Sequence, residues 1–315
     1  MNYYLSADCG GSSSSFVLVS EDGRILAQKK EGPCGLMANG TDYCVRLISN
    51  TVSRMLKKNG IHAEDVSACF GLSGFGDEEK RSRQFLNALF ASLPGMRIAL
   101  GNDSMIAIAG SLGGKSGIHI ICGTGSSVIG LDTEGNRVRT GGWYHLFGGD
   151  EGSAYWIGCH LIQEFTKQSD GRHERTAVGP YMMQKYGLSN EHEMLNLVIE
   201  KWQCRREKLA DVCMDCCALA MAKDPAAMRI IDDAASEQAE LIKACQKRGN
   251  FEIPTAVSYS GGVFRSGDLI LKPLKEKLGS GFDVRKPLYS PLAGGVILAA
   301  QNAGKTVSEE VLKQI

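Results

Sequence analysis

The sequence lacks an excess of either charge and lacks any long apolar run. Lysine and arginine total 35, as do aspartate and glutamate, so the formal net charge is zero. Without a basic surplus the chain has no general attraction for a phosphate backbone, and we predict no nucleic-acid partner. No apolar stretch approaches the roughly 18–20 residues of a membrane span, and residues 1–7 lack the charged start of a secretion signal. We therefore expect a cytoplasmic protein without membrane contact.

Cysteine is not scarce, but its pattern does not indicate disulfide bonds. The 11 cysteines are odd in number and scattered through a chain of 315 residues, which is long enough to need no cross-links. This pattern favours a reducing compartment. Cys213, Cys216 and Cys217 form the densest group, and their spacing places them on one face of a helix, where a free thiol usually packs as a small hydrophobe.

An internal repeat organises the chain. Residues 5–27 and 118–139 both show a strand, a glycine–serine turn, a second strand, an acid–glycine turn and a third strand. An acid–glycine pair between strands is typical of a hairpin. Later in each half an apolar strand ends in glycines, at residues 66–76 and 255–262. Because the same order occurs twice, we predict two related domains.

The domain boundary is predicted within the flexible stretch 113–117. The first domain is then residues 1–114 and the second residues 115–315, in agreement with the roughly 100–200 residues of a usual domain. Apolar periodicity, as at residues 45–58, predicts helices between the strands. Residues 158–247 are mostly helix-compatible and have no counterpart in the first half, so we predict a helical insertion in the second domain.

The two glycine–serine turns expose backbone N–H groups that can hold an anion. Neither turn is a Walker P-loop, since no Gly-Lys-Ser/Thr follows at the required distance, and residues 10–11 lack the third glycine of a dinucleotide fingerprint. An ordinary hairpin turn explains residues 123–127 equally well when they are taken alone. The duplication favours a pair of phosphate sites.

In this order the motifs resemble the actin, sugar-kinase and heat-shock-ATPase superfamily. Its first phosphate motif resembles residues 8–12, its second residues 123–126, and its adenosine motif residues 260–268. Residues 100–103 and 148–156 are similar to the BadF/BadG/BcrA/BcrD group, and in particular to its N-acetylglucosamine kinases. The resemblance implies an α/β protein with two ribonuclease-H-like domains, the actin-like ATPase fold. It also implies an ATP-dependent kinase for the 6-hydroxyl of an amino sugar, with ATP and Mg²⁺ as cofactors; we further expect a homodimer.

The same resemblance implies roles for particular residues. Asp103 would be the general base that accepts the sugar hydroxyl's proton, and Asp8 would hold Mg²⁺ through water. The phosphate-binding residues would be Gly10, Gly11, Ser12, Gly123, Thr124, Gly125, Ser126, Gly261 and Gly262. The sugar-binding residues would be Ser73, Gly74, Asn102, Asp103, Gly142, Trp143 and Asp150. Structural explanations stay open beside these roles: Asp8 could cap its turn, Asp103 could cap a helix, and Trp143 could pack at an interface.

Two departures from the family pattern border the predicted sugar pocket. Gly35 stands where the family has an asparagine. Tyr144 stands where it has a glycine, and one additional residue, at Gly149, precedes Asp150. Kinase chemistry is therefore better supported than N-acetylglucosamine as the acceptor, and glucosamine and N-acetylmuramic acid stay open.

Two functions of other classes share this fold. The cysteines suggest an iron–sulfur ATPase that activates a dehydratase or reductase, although such activators carry a cysteine and a histidine near the position of Asp103. The other alternative is a sugar-sensing repressor, for which we find no DNA-binding module before Asp8. The kinase interpretation accounts for more of the motifs than either alternative.

Overall fold

The computed structural model describes residues 2–315, which form two compact units. The first unit combines the chain up to Lys115 with Lys286–Ile315, and the second unit is Ser116–Arg285. In chain order the helices are α1 (Leu36–Asn39), α2 (Thr41–Asn59), α3 (Glu79–Ser92), α4 (Asp103–Leu112), α5 (Ala154–Ser169), α6 (Val178–Tyr186), α7 (Glu193–Leu195), α8 (Arg206–Asp211), α9 (Cys213–Met221), α10 (Pro225–Arg248), α11 (Asp268–Leu278), α12 (Pro291–Asn302) and α13 (Glu309–Leu312).

The first unit contains one mixed sheet of five strands. These are β1 (Tyr3–Cys9), β2 (Ser14–Ser20), β3 (Ile25–Glu31), β4 (Val66–Leu72) and β5 (Arg97–Gly101). They lie in the order β3-β2-β1-β4-β5. The hairpin strands β1, β2 and β3 are antiparallel, whereas β1, β4 and β5 run parallel.

The second unit repeats this topology. Its strands are β6 (Gly117–Cys122), β7 (Ser126–Leu131), β8 (Arg137–Gly141), β9 (Thr255–Ser260) and β10 (Phe282–Val284). Their order is β8-β7-β6-β9-β10, again with three antiparallel hairpin strands and a parallel side. The predicted α/β repeat is therefore confirmed at the level of sheet order and strand direction.

Both faces of the first sheet are apolar, which decides how the unit is assembled. Along β1, Leu5 and Ala7 belong to the core that includes the buried face of α2, whereas Tyr4 points to a second core. This alternation follows from the two-residue period of a strand. A sheet that is buried on both faces needs a helical layer on each.

The second layer on the first sheet comes from the end of the chain. Helix α12 packs against β1 and α4, and its buried residues Val296 and Ala300 share a core with Tyr4. The predicted second domain, residues 115–315, therefore requires a correction, since residues 286–315 belong to the first unit. The physical reason is the apolar second face of the first sheet, which is left uncovered by α1, α2 and α3. The chain passes from the first unit to the second after Lys115, which lies inside the predicted boundary stretch 113–117.

A helical region separates β8 from β9 in the second unit. It contains α5 to α10 and includes a short π-helical segment, Asn196–Lys201. Its helices extend from Ala154 to Arg248, close to the predicted limits of the insertion, 158–247. The longest one, α10, begins cleanly because the Asp224 side chain accepts hydrogen bonds from the N–H groups of Ala226 and Ala227, each at 3.0 Å. None of the helices described over residues 2–315 has the length and apolar character of a membrane span.

Candidate functional site

In the first unit Asp103 lies close enough to Asp8 for its negative charge to affect the Asp8 carboxyl. Asp8 is near the end of β1, opposite Gly71 of β4. A Cβ atom on Gly71 would lie 3.2 Å from the Cα of Asp103, so the start of α4 approaches the sheet at the level of Asp8. Burial, and secondly the negative charge of Asp103, raise the pKa of Asp8 to about 6.

Asp103 opens α4 but does not cap it. The N-cap is Asn102, whose Oδ1 accepts the N–H of Ser104 at 3.1 Å and whose Nδ2 donates to the Phe75 carbonyl at 3.2 Å. Asp103 Oδ1 also accepts the Ser104 N–H, at 2.9 Å, and the Ser73 hydroxyl hydrogen-bonds to the Asp103 carboxylate. Burial raises the pKa of Asp103, and the hydrogen bonds from Ser104 and Ser73 oppose that shift. Asp8, Ser73 and Asp103 are called the first-unit cluster below.

The loops around the first-unit cluster are tied together by their backbones. The N–H of Ser73 donates to the Cys9 carbonyl, and the Ser73 carbonyl accepts the N–H of Leu36, each at 2.9 Å. Gly74 follows with φ of 81°, and a Cβ there would lie 2.9 Å from Cγ of Met37. Predicted site residues from three separate stretches of sequence therefore meet in one unit.

The first glycine–serine turn follows β1. The N–H of Gly10 donates to the Ser13 carbonyl at 3.0 Å, so this donor is used inside the turn. Gly11 and Ser12 are exposed at its tip. Any phosphate contact from the backbone of this turn therefore falls to the N–H groups of Gly11, Ser12 and Ser13 rather than to the N–H of Gly10.

The departure at Gly35 has a structural partner in Asn39. Asn39 Oδ1 accepts the N–H of Gly35 at 2.9 Å, and the Gly10 carbonyl accepts the N–H of Cys34 at 2.9 Å. The Asn39 side chain thus holds the backbone of the loop in which the family asparagine would lie. Its oxygen is engaged in that loop.

The second glycine–serine turn follows β6 and is held by three of its own donors, two N–H groups and one hydroxyl. The N–H of Gly123 donates to the Gly125 carbonyl at 2.9 Å, and the N–H of Ser126 donates to Asp150 Oδ1 at 3.2 Å. The Ser126 hydroxyl donates to the Glu151 carbonyl at 2.7 Å. Thr124 and Gly125 are left as the N–H donors that can face an anion here.

Asp150 and Arg206 lie directly against this turn. Asp150 is 4% exposed, adopts a left-handed φ of 66°, and forms an ion pair with the guanidinium of Arg206 at the start of α8. A Cβ on Gly125 would collide with both side chains, so only glycine fits between them. Arg206 Nε is buried and has no hydrogen-bond partner among residues 2–315. Gly125, Asp150 and Arg206 are called the second-unit cluster below.

The segment between β8 and Asp150 presents large apolar side chains to solvent. Trp143 is 69% exposed, and Tyr144, Leu146 and Phe147 are also more than half exposed. Gly142 begins this segment with φ of 70°, and its carbonyl accepts a hydrogen bond from Arg139 Nη2 at 3.1 Å. Trp143 and Gly142 are therefore near Asp150 in sequence, but Trp143 is not packed into the second-unit cluster.

The third glycine motif lies beside the second turn. Gly261 has φ of 106°, and a Cβ there would collide with the Cys122 carbonyl at the end of β6. The residues after it, Gly262–Ser266, form a 3₁₀ helix. A cavity of about 600 Å³ opens between Gly123 and Thr124, this helix and one side of α9.

The cysteine group on α9 does not form a metal site. Cys213 and Cys216 are buried, and Cys216 Sγ points to the Ala227 carbonyl at 3.8 Å. Within residues 2–315 there is no group of three or more histidine, cysteine or acidic side chains that could hold a metal ion.

Two mixed sheets of identical order, each carrying a glycine–serine turn after its first strand, define the actin-like ATPase class of α/β proteins. A solved structure from Chromobacterium violaceum, provisionally assigned as an N-acetylglucosamine kinase, has this fold with a TM-score of 0.69 and 22% identity. The match covers 95% of this chain and 99% of that one.

The chain belongs to the BadF/BadG/BcrA/BcrD ATPase family, whose model matches residues 7–299. It is 30% identical over 246 residues to an N-acetylmuramic acid/N-acetylglucosamine kinase of Clostridium acetobutylicum, covering 78% of this chain and 79% of the relative. It is 27% identical over 317 residues to an N-acetyl-D-glucosamine kinase of Dictyostelium discoideum, covering 94% of this chain and 97% of the relative. The family expected from the motifs is confirmed.

Sequence reasoning missed Arg206. It lies in the helical region, more than fifty residues after Asp150, in a stretch without a phosphate-binding motif. Its approach to Gly125 depends on how α8 packs on α5, which no local pattern records. The only available signal was indirect, since a buried carboxylate at position 150 requires a cationic partner.

Proposed function

We propose that this protein is an ATP-dependent amino-sugar kinase that transfers the γ-phosphate to the 6-hydroxyl of N-acetylglucosamine. The observation that carries the proposal is the first-unit cluster, in which the half-buried carboxylate of Asp103 is held by the Ser73 hydroxyl beside a second half-buried carboxylate at Asp8. Membership of the ATPase family and the names of the relatives support the same class of reaction.

Asp103 is proposed as the general base. Its carboxylate accepts the proton of the sugar hydroxyl as that oxygen attacks phosphorus, which makes the hydroxyl a better nucleophile. Burial raises its pKa and therefore makes the carboxylate a stronger base than a free aspartate. The hydrogen bonds from Ser73 and the Ser104 N–H keep the carboxylate oriented.

Asp8 is proposed to hold Mg²⁺ through water. The donor chemistry fits, because a carboxylate with a second carboxylate nearby is a hard, negatively charged oxygen site of the kind Mg²⁺ prefers. When bound, the ion would neutralise charge on the phosphates during transfer. Asp8 must be ionised for this role, and its raised pKa makes that requirement dependent on pH.

The glycine–serine turns are proposed as phosphate cradles. The available donors are the N–H groups of Gly11, Ser12, Ser13, Thr124 and Gly125, since those of Gly10, Gly123 and Ser126 are used internally. Arg206 adds a charge to the second turn, and its buried, unpartnered Nε can donate to a phosphate oxygen. The cavity beside Gly262 and α9 is proposed to take the nucleoside.

The acceptor sugar differs among the named relatives. The relative from Clostridium acetobutylicum is named for both N-acetylmuramic acid and N-acetylglucosamine, whereas the one from Dictyostelium discoideum is named for N-acetylglucosamine alone. The proposed sugar-facing residues Gly142 and Trp143 precede Tyr144, where the chain departs from the family pattern. N-acetylmuramic acid is therefore the second candidate, with glucosamine after it.

The test is a comparison of sugar-stimulated ADP release with Mg²⁺-ATP. We expect turnover with N-acetylglucosamine, and the relative rates with N-acetylmuramic acid, glucosamine and plain glucose define the acceptor. Phosphorus NMR of the product should show a 6-phosphate. Absence of stimulation by every amino sugar would overturn the kinase proposal, and turnover with glucose alone would overturn its amino-sugar part.

We also propose a reducing compartment and a homodimer. All 11 cysteines are free, and eight of them are buried. Free thiols suit the cytoplasm better than an oxidising space. Light scattering on purified protein tests the dimer, and a mass of one chain would contradict it.

A further inference from the structure

Two thiols line the cavity to which we assign the nucleoside, so this inference rests on the proposed function. The cavity of about 600 Å³ is bordered by Thr124 of the second turn, by Arg265 of the 3₁₀ helix Gly262–Ser266, and by Cys213 and Cys217 of α9. The two cysteines are four residues apart and therefore lie on the same face of the helix. The third cysteine of the group, Cys216, does not line the cavity and is fully buried.

The two thiols differ in accessibility and in acidity. Cys213 is 6% exposed, whereas Cys217 is half-buried. The Cys213 thiol hydrogen-bonds to Cys217, which lowers the pKa of Cys217 and raises that of Cys213. Burial opposes the lowering at Cys217. Since the thiolate is the reacting form of cysteine, Cys217 is the more reactive member of the pair.

We propose that Cys217 is a thiol–disulfide exchange site within the nucleotide cavity, and that a small-molecule disulfide bound there covalently prevents nucleotide binding. The proposal gives Cys217 no role in phosphoryl transfer. A tripeptide-sized adduct on Cys217 would block the nucleotide sterically, because Cys217 lines the same cavity as Thr124 and Arg265 and the adduct would fill the space that the nucleoside needs.

The exchange is balanced with the disulfide as oxidant. The Cys217 thiolate attacks one sulfur of a disulfide RSSR, forms the bond Cys217–S–S–R, and expels RS⁻ as the leaving group. The proton of the Cys217 thiol passes to solvent before attack, while Cys213 keeps its own proton and donates the hydrogen bond. An excess of a reducing thiol reverses the reaction by attacking the mixed disulfide.

The experiment uses glutathione disulfide as the probe on the full chain. Nucleotide affinity is measured first by calorimetry with a non-hydrolysable ATP analogue. The protein is then incubated with glutathione disulfide with and without the saturating analogue, and glutathionyl groups are assigned by fragmentation mass spectrometry. We expect Cys217 to be modified without nucleotide and protected with it, and we expect the modified protein to lose at least about tenfold in affinity. Dithiothreitol should restore binding.

Two variants separate this site from other thiols. Cys217→Ser should lose the nucleotide-protected adduct, whereas Cys204→Ser should retain it, since Cys204 is exposed and does not line the cavity. If the untreated protein binds no nucleotide, the proposed function fails and this inference fails with it. If the untreated protein binds nucleotide but Cys217 reacts equally in its presence, or the adduct leaves affinity unchanged, this inference alone is overturned.

Discussion

At the scale of single residues, Asp103 is the proposed general base, and it is not the N-cap of its helix. The helix is already capped by Asn102, so the Asp103 side chain is not needed as the N-cap. We expect Asp103→Asn to fold and to bind nucleotide while kcat falls by roughly 10²–10⁴-fold, because the amide keeps the size but is not a useful base. Steady-state kinetics measures this, and Asn102→Asp serves as the neighbouring control.

In that control the new carboxylate can still accept the N–H of Ser104, so the cap is preserved, although the donation to the Phe75 carbonyl is lost. We expect its loss of kcat to be much smaller than that of Asp103→Asn. Near-normal kcat in Asp103→Asn would mean that the carboxylate only supports the start of α4.

The raised pKa of Asp8 predicts a pH dependence with a defined sign. Its folded value of about 6 lies above the ordinary 3.8, so the protonated carboxyl favours folding most below about pH 4 and this contribution is lost as the pH rises through 6. Mg²⁺ binding should change in the opposite direction and weaken as the pH falls below 6. Carbon NMR of the Asp8 carboxyl measures the titration directly.

The two causes of this shift can be separated with Asp103→Asn. Removing the neighbouring negative charge should lower the pKa of Asp8, but the value should stay above 3.8 because burial is the larger cause. An unchanged Asp8 titration in that variant would contradict the electrostatic contact inside the first-unit cluster.

Arg206 is expected to serve both the stability of the second turn and nucleotide binding. Arg206→Ala leaves the Asp150 charge buried without its partner and removes a phosphate donor, so stability and nucleotide affinity should both fall, the latter by about 1.5–3 kcal/mol. Adding Asp150→Asn should recover stability, because it removes the unpaired charge, but should not recover affinity. A double-mutant cycle by calorimetry and denaturant unfolding tests this, and full recovery of affinity would show that Arg206 acts only through Asp150.

The positions of Asp8 near the end of β1 and of Asp103 at the start of α4 could be predicted from sequence, because each lies beside an apolar strand inside a motif. Their roles in Mg²⁺ binding and proton transfer stay predictions. Asn102 is a second example: the family resemblance implies a sugar contact, which stays a prediction, and the structure adds that its oxygen caps α4 and its amide donates to the Phe75 carbonyl. Asn39 likewise contacts Gly35 within its own loop. A polar side chain can satisfy either a ligand or the neighbouring backbone, and sequence alone does not decide between them.

At the scale of secondary-structure elements, the crossing of α4 and α12 determines where Asp103 is held. The two helices approach so closely at Gly110 and Gly294 that a Cβ on Gly294 would collide with the Ile106 carbonyl. We expect Gly294→Ala to destabilise the first unit by about 1–3 kcal/mol because the helices must separate, and to lower kcat through displacement of Asp103.

Hydrogen exchange at the amides of α4 measures the destabilisation of the first unit. Tryptophan fluorescence reports on the second unit and serves as the internal reference, since all three tryptophans, at 143, 156 and 202, lie there. Gly179→Ala in α6 is the matched control, because a Cβ there has no neighbour within 4 Å and alanine favours a helix by up to about 1 kcal/mol. Equal exchange in Gly294→Ala and the parent protein would contradict a tight crossing.

The strands and turns that occur in both units could be predicted from sequence, whereas the packing of α12 on the first unit could not. Hairpins and glycine-ended strands carry local signals, namely two-residue alternation and turn residues, and they occur twice in the same order. The apolar helix α12 follows β10 directly, so its sequence position suggested the second domain. Its true partner is the face of the first sheet that includes Tyr4 and Val17, and this long-range match has no local signature.

At the scale of the whole molecule, the chain leaves the first unit after Lys115 and returns to it at Lys286. We expect a fragment of residues 116–285 to fold alone, since its core is internal to the unit. Residues 1–115 alone should not fold stably because the face containing Tyr4 and Val19 would be uncovered, whereas residues 1–115 joined to 286–315 by a short flexible linker should fold. Circular dichroism and thermal unfolding of the three fragments test this, and a cooperative transition in 1–115 alone would contradict it.

Because the first unit combines two separate parts of the chain, these parts are synthesised at different times. The strands of the first sheet emerge from the ribosome early, but the helix that covers their second face follows only after the entire second unit. At roughly 5–20 residues per second, the interval lasts on the order of ten to forty seconds. During that time the second unit can complete its folding. Tyr4, Val17 and Cys69, which share a core with α12, stay exposed to solvent or a chaperone until that helix is made. The half of the protein that is translated first is therefore the half that matures last.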